Sequence, residues 1–153
     1  MSTRSTKLYS VSHYLIFLFW PYILFTKTII VWQVENKKLT DMEYAVTQLS
    51  ETEPPFSHPG FPNKKGEFVC ICCSNKLFST SHKFESGSGW PSFYSPLSKD
   101  AVETEVDFSH GMKRVEVHCS NCKAHLGHVF EDGPEPTGLR FCINGVALKF
   151  QPT

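Results

Sequence analysis

The residues best suited to chemistry in this chain are its cysteines and the histidines that follow the last knuckle. Cys70 and Cys73, in "CICC", form one C-x-x-C pair, and Cys119 and Cys122, in "CSNC", form another. Two thiolates held by one tight turn supply half of a tetrahedral zinc shell, and two such turns complete it. The pairing predicts one structural zinc ion per chain, closed to substrate. The interval between the knuckles, 74–118, exceeds the usual ribbon spacing, so a substantial subdomain must loop out between them. Cys72 could replace Cys73 as a ligand, although C-x-C makes a poorer bite. Disulfides are the other alternative, and they gain weight if the chain is exported.

Cys142, in "LRFCINGVALKF", is left over. That stretch reads as a β-strand, whose period of two puts Arg140, Cys142 and Asn144 on one face and Leu139, Phe141 and Ile143 on the other. A thiol between a permanent cation and an amide is expected to favour the thiolate, the form that nucleophilic sulfur chemistry requires. A structural free cysteine is the competing reading, because buried cysteine is common. "AHLGHVFEDGPEPTG" then places His125 and His128 directly after the second knuckle, with Asp132 four residues further on. Two histidines fixed to a metal-rigidified turn could donate protons or orient water near neutral pH. Cys122-x-x-His125 also has ligand spacing, but four cysteines already saturate zinc. "SGSGWPSFY" sets Trp90 on a glycine-rich turn, which could hold an indole face against a small apolar group. A core tryptophan is the alternative there.

The elements that must position these residues are mostly strands. "VETEVDF" (102–108) and "KRVEVHC" (113–119) both alternate apolar with polar residues, and Ser109 to Met112, with Gly111, makes the turn between them. "LTDMEYAVTQL" offers Thr40 as N-cap with Glu43 three residues on, a capping box. Met42, Ala45, Val46 and Leu49 follow at helical spacing, predicting a short amphipathic helix against the main domain. A proline-broken loop separates that helix from the first knuckle. The 13 phenylalanines argue for a real core rather than disorder. With a formal net charge of zero and no basic run longer than Lys64-Lys65, nothing suggests a phosphate-tracking surface, and no nucleic-acid partner is expected.

The N-terminus differs in composition. Residues 14–25, "YLIFLFWPYILF", are apolar and uncharged, with Arg4 and Lys7 before them. The run is shorter than the about 20 residues a transmembrane helix needs, and fits a signal-peptide core better, though no clear cleavage site follows. Counted from Tyr14 to Trp32, it could serve as a signal anchor that contacts the membrane; a leader with no targeting role is the alternative. The expected division is therefore a hydrophobic leader, 1–33, and a single domain, 34–153. A functional leader implies the secretory pathway or a membrane anchor, and otherwise the cytoplasm.

Several ordered motifs, "FESGSGWPSF", "CSNCKAHLGHVFEDGPEPTGLRFCIN" and "LTDMEYAVTQ…TEPPF", closely resemble the B-type peptide-methionine (R)-S-oxide reductases. The resemblance runs from about Leu39 to Phe150. It implies a mainly β fold, two antiparallel sheets around the four-cysteine zinc site, with a short N-terminal helix. It also implies Cys142 as nucleophile, Trp90 packed on the substrate methyl group, and His125, His128, Asp132, Arg140 and Asn144 lining the pocket. The implied reaction is reduction of peptide-bound methionine-R-sulfoxide through a cysteine sulfenic acid, in repair of oxidised proteins. His125 or His128 would supply the proton and Asp132 would orient them. Thioredoxin or another thiol would recycle the enzyme, which is expected to be a monomer. Two departures stand out: Ser88 occupies the position before Gly89 where many members carry a resolving cysteine, and the loop before Glu67 is short. Only Cys72 then remains as an internal resolving thiol. A zinc-ribbon module that binds a protein partner and a disulfide-stapled secreted domain are the rival readings, and neither gives Cys142, Arg140 and the two histidines a shared task.

Overall fold

Residues 38–108 and 111–153 are described by the computed structural model. The hydrophobic leader and Ser109 and His110 of the expected turn lie outside the described residues. Three strands, β1 (Gly66–Cys70), β2 (Lys76–Ser79) and β9 (Leu148–Pro152), form an antiparallel sheet in the order β2-β1-β9. A second antiparallel sheet contains β3 (Lys83–Phe84), β4 (Ser92–Phe93), β5 (Val102–Asp107), β6 (Arg114–Cys119), β7 (His125–Phe130) and β8 (Arg140–Ile143). Its order is β3-β4-β8-β7-β6-β5, which puts the strand of Cys142 inside the sheet. Among the described residues, the mainly β architecture with two antiparallel sheets and one short α-helix agrees with the expectation from sequence.

Phenylalanines join the two sheets. Phe93 of β4 stacks on Phe78 of β2 at 4.4 Å between ring centroids and meets the edge of Phe68 of β1 at 5.0 Å. Phe141 of β8 reaches Phe78 from the same side, at 5.9 Å. Together with Leu77, Val117, Leu126 and Ile143 these rings are buried. Offset and edge contacts of this kind add to the area they bury. The apolar halves of β6, β7 and β8 therefore face the core, and their polar halves are free to build a site.

One irregularity decides what that site contains. Strict alternation would send His125 and His128 to opposite faces of β7, because they are three residues apart. The β6–β7 register shifts between Val117 and His118, so that His118 opposes His125 while Glu116 opposes His128. A bulge of this sort re-aims side chains. Both imidazoles consequently share one face, with ring centroids 5.6 Å apart.

The helix α1 (Asp41–Leu49) starts at the expected capping box: the Thr40 hydroxyl accepts the Glu43 N–H at 3.3 Å, and the Glu43 carboxylate accepts the Thr40 N–H at 2.7 Å. Its buried side differs from the expected stripe. Val46 and Thr47 are buried, whereas Met42 and Leu49 are 43% and 58% exposed. Thr47 tolerates burial because its hydroxyl donates to the Glu43 carbonyl at 2.6 Å, which satisfies it within the helix. The helix thus rests on β7 and the turn 145–147 by a narrow edge. The apolar face read in "VETEVDF" is likewise only partly covered, with Val106 and Phe108 exposed, because β5 is the outermost strand.

Candidate active site

Both C-x-x-C knuckles are built the same way. Each begins at the last residue of a strand, Cys70 of β1 or Cys119 of β6. In the first, the Ser74 N–H donates to the Cys70 carbonyl and the Cys70 N–H to the Asn75 carbonyl, at 2.9 and 2.8 Å. In the second, Lys123 and Ala124 repeat those bonds on Cys119, at 2.9 Å each. Ser74 and Lys123 both adopt a positive φ of 62°, which closes the turn. The four sulfurs lie within 4.8 Å of one another, with Cys70 and Cys122 3.7 Å apart and Cys73 and Cys119 3.6 Å apart. Tetrahedral Zn–S bonds of about 2.3 Å require sulfurs about 3.8 Å apart, so the residues present fit such an ion. Cys73, not Cys72, completes the set. The Cys72 sulfur borders the four, in reach of Cys70 and Cys122, and accepts the Gln48 side-chain amide of α1 at 3.6 Å.

Cys142 stands between two strands whose residues bracket it. Across β7–β8 it pairs with His128, and across β4–β8 with Ser92. Gly127 allows the strands to close here, since a Cβ at that position would collide with the Cys142 carbonyl. Beside the sulfur lies a cavity of about 140 Å³, lined by Thr52, Trp90, His128, Phe130, Cys142 and Asn144 among others. A water molecule takes about 30 Å³ in the liquid, so the cavity has room for a group of a few heavy atoms.

The charges around the sulfur are arranged differently from the sequence-based expectation. Burial pushes the Cys142 thiol above its ordinary value of 9.0, and the opposing pull of Ser88 and of Arg140 does not reverse this. Arg140 cannot dominate because its guanidinium is already engaged. It makes a bidentate pair with Asp132, 2.8 Å at both nitrogens, and its Cζ lies 4.6 Å from the centre of the Phe130 ring. The Arg140 pair in turn holds the Asp132 carboxyl below the usual carboxylate range. Asp132, expected beside the histidines, is therefore an arginine partner.

Two other carboxylates serve the imidazoles. His128 Nε2 lies 3.1 Å from Asp107 Oδ2, which also accepts Arg114 at 2.7 Å. His125 Nδ1 is in close contact with Glu116 Oε1, and His118 Nε2 lies 3.3 Å from the same oxygen. His125 is 2% exposed, and burial drives its pKa down to about 4 in spite of Glu116. At neutral pH it is an uncharged ring. Asp107 and Glu116 were the polar residues of two strands read as alternating. Pairing β5, β6 and β7 in register would have placed them opposite Arg114 and His128.

The pocket wall depends on a residue that no local pattern singles out. Glu53, 1% exposed, sits in the proline-rich segment before β1. Its carbonyl accepts the Trp90 indole N–H at 3.0 Å, and its own N–H donates to Asn144 Oδ1 at 3.0 Å. Its carboxylate accepts the backbone N–H groups of Gly145 and Val146, at 2.5 and 3.2 Å. Asn144 Nδ2 continues the chain to the Leu126 carbonyl at 3.0 Å. One residue thereby fixes both the indole and the amide. Gly89 secures the other side of Trp90: its φ of +88° suits glycine, and a Cβ would strike the Phe56 ring.

Among the described residues, then, Cys142, Trp90, His128 and Asn144 share one cavity. Arg140 and Asp132 form its electrostatic flank, and His125 is buried beside His128. The SelR domain matches residues 39–152. A protein named peptide methionine sulfoxide reductase MsrB from Photorhabdus laumondii is 57% identical over 115 residues, covering 74% of this chain and 85% of that protein. Its namesake from Thioalkalivibrio sulfidiphilus is 54% identical over 117 residues, 76% of this chain and 85% of that one. The Acinetobacter baylyi MsrB is 50% identical over 121 residues, 78% and 85% of the two chains. The chain belongs to the SelR domain family, together with these MsrB peptide methionine sulfoxide reductases.

Proposed function

We propose that this protein reduces peptide-bound methionine-R-sulfoxide to methionine, with Cys142 as the nucleophile, and so repairs oxidised proteins. The observation that carries the reading is the pairing of Cys142 and His128 across β7–β8, at one small cavity walled by an indole that Glu53 holds in place. The substrate methyl group packs on the Trp90 face, and the rest of the peptide stays outside a cavity of this size. The sulfoxide oxygen accepts a proton from His128 as the Cys142 sulfur attacks the sulfoxide sulfur. Oxygen passes to Cys142, which becomes a sulfenic acid, and methionine leaves. The thiol's own proton balances the one delivered to oxygen, so the step consumes none overall. A raised thiol pKa is compatible with that stoichiometry.

His128 is the better acid of the two histidines. It lines the cavity and is held by Asp107, whereas burial keeps His125 neutral. His125 serves as a buried, uncharged ring packed against Glu116 and beside His128. His128→Ala is expected to lower kcat by roughly 10²–10⁴, the usual share of a positioned acid. His125→Gln, by contrast, should act mainly through folding. Steady-state rates beside thermal unfolding curves separate the two effects. The Cys70, Cys73, Cys119 and Cys122 set would hold one zinc ion and supply rigidity rather than chemistry.

Recycling requires a second thiol, which condenses with the sulfenic acid to a disulfide and releases water; thioredoxin or another dithiol then reduces that bond. Cys72 is 4% exposed and packed beside the first knuckle. A bond to Cys142 would need the two Cα atoms within about 7 Å. An external thiol is the main resolving group. Mass spectrometry after one stoichiometric turnover without reductant is expected to find the same oxidised Cys142 in wild type and Cys72→Ser. A near-complete Cys72–Cys142 disulfide in wild type would refute this. The reaction itself is tested by turnover on the two sulfoxide diastereomers, with activity on R expected; a preference for S would overturn the reading.

A further inference from the structure

Three serine hydroxyls lead to the Cys142 sulfur. Ser92, 1% exposed, is the cross-strand partner of Cys142 in β4. Its Oγ lies 2.7 Å from Ser86 Oγ, which lies 2.8 Å from Ser88 Oγ, which lies 3.8 Å from Cys142 Sγ. Fixed backbone donors anchor the row: the Ser88 N–H donates to Ser86 Oγ at 3.3 Å, and the Trp90 N–H to Ser88 Oγ at 3.4 Å. The Trp90 carbonyl is a fixed acceptor within reach of both ends, 3.2 Å from Ser92 Oγ and 3.4 Å from Ser88 Oγ.

We propose that Ser88 is a catalytic hydrogen-bond donor to Cys142, the last member of a Ser92–Ser86–Ser88 relay whose polarity follows the ionisation of the thiol. Counting hydrogens leads there. A hydroxyl donates once and accepts twice. When Cys142 is a thiolate, Ser92 donates to Ser86, Ser86 to Ser88, and Ser88 to the sulfur. Ser86 Oγ then accepts Ser92 and the Ser88 N–H, while Ser88 Oγ accepts Ser86 and the Trp90 N–H, so both are filled. When Cys142 is a thiol, every hydroxyl rotates. The S–H points to Ser88, Ser88 to Ser86, Ser86 to Ser92, and Ser92 to the Trp90 carbonyl. In both states every hydroxyl hydrogen has an acceptor, and hydroxyls in series polarise one another. The row therefore offers the attacking sulfur a donor without holding the resting thiol in place. Ser88 also pulls the Cys142 pKa in the direction this requires, against the larger effect of burial.

The inference rests on Cys142 being the nucleophile. Its test is the pH dependence of iodoacetamide alkylation of the full-length chain, read by mass spectrometry on the Cys142 peptide. Wild type, Ser88→Ala, Ser88→Thr and Ser86→Ala are compared, together with their steady-state kinetics. A hydrogen bond to a charged group is worth enough to move a pKa by about one unit, so Ser88→Ala should raise the midpoint by about one pH unit. Its kcat should fall about tenfold with KM unchanged. Ser88→Thr, which retains the hydroxyl, should keep the wild-type midpoint. Ser86→Ala, which does not touch the sulfur, should shift it in the same direction by less. An unmoved midpoint in Ser88→Ala, or a Ser88→Thr protein that behaves like Ser88→Ala, overturns the relay. If Cys142→Ser is inactive while the midpoint stays put, only the relay fails; an active Cys142→Ser protein removes the reaction as well.

Discussion

Cys142→Ser is expected to abolish reduction of methionine-R-sulfoxide while leaving metal content and the unfolding midpoint at their wild-type values. Removing a covalent nucleophile costs rate on the order of 10⁴-fold or more, since nothing else in the site can take the oxygen. The substitution exchanges sulfur for oxygen at a half-buried position and touches no core ring. Its Ser88 neighbour can still hydrogen-bond to the new hydroxyl. A folded, metal-replete, inactive protein is therefore the outcome, measured by turnover, metal analysis and thermal unfolding on one sample. Activity equal to wild type would refute the mechanism at its first step.

Cys119→Ser should do the reverse, destroying the fold rather than the chemistry. Cys119 is fully buried, and its sulfur lies 3.6 Å from that of Cys73 and 3.6 Å from the Asn75 side-chain amide. Zinc binding in small four-ligand sites is worth about 10–16 kcal/mol, more than the about 5–15 kcal/mol that holds a typical domain together. With three sulfurs left, most of that contribution is lost. Hydrogen bonds among the sulfurs, that with Cys119 foremost, also push Cys70 up and Cys73 down. The expected result is a metal-poor protein of low thermal stability. A folded, active, zinc-free Cys119→Ser protein would defeat the assignment of these residues to zinc.

What the sequence made legible was whatever repeats a local rule. Two matched C-x-x-C turns announced the cluster. Alternation announced β5, β6 and β8, and the Thr40 and Glu43 pair announced the start of α1. What escaped depended on which strand lies beside which. Asp107 and Glu116 look like ordinary outward residues until β5, β6 and β7 are set in register; then they face Arg114 and His128. His125 and His128 share a face only because of the β6–β7 bulge, which no local pattern signals. The expectation that Arg140 would ionise Cys142 ignored two competing effects, burial of the thiol and the hold of Asp132 on the guanidinium. Glu53 had no signal of its own. A lone acid in a proline-rich segment reads as solvated, and its burial follows from the backbone N–H groups it meets from the far end of the chain.

The bonds made by Glu53 have a consequence for where the working part of the molecule begins. All of the strands among the described residues lie between Gly66 and Pro152, and a fragment cut at Gly66 would retain both sheets, both knuckles and Cys142. It would lose the carbonyl that aims the Trp90 indole, the N–H that orients Asn144, and the carboxylate that ties down Gly145 and Val146. The segment from Thr52 to Phe56 is thus not a tether leading into the domain but a support for one wall of the proposed catalytic cavity. The unit able to recognise a substrate is longer than the unit that forms the sheets.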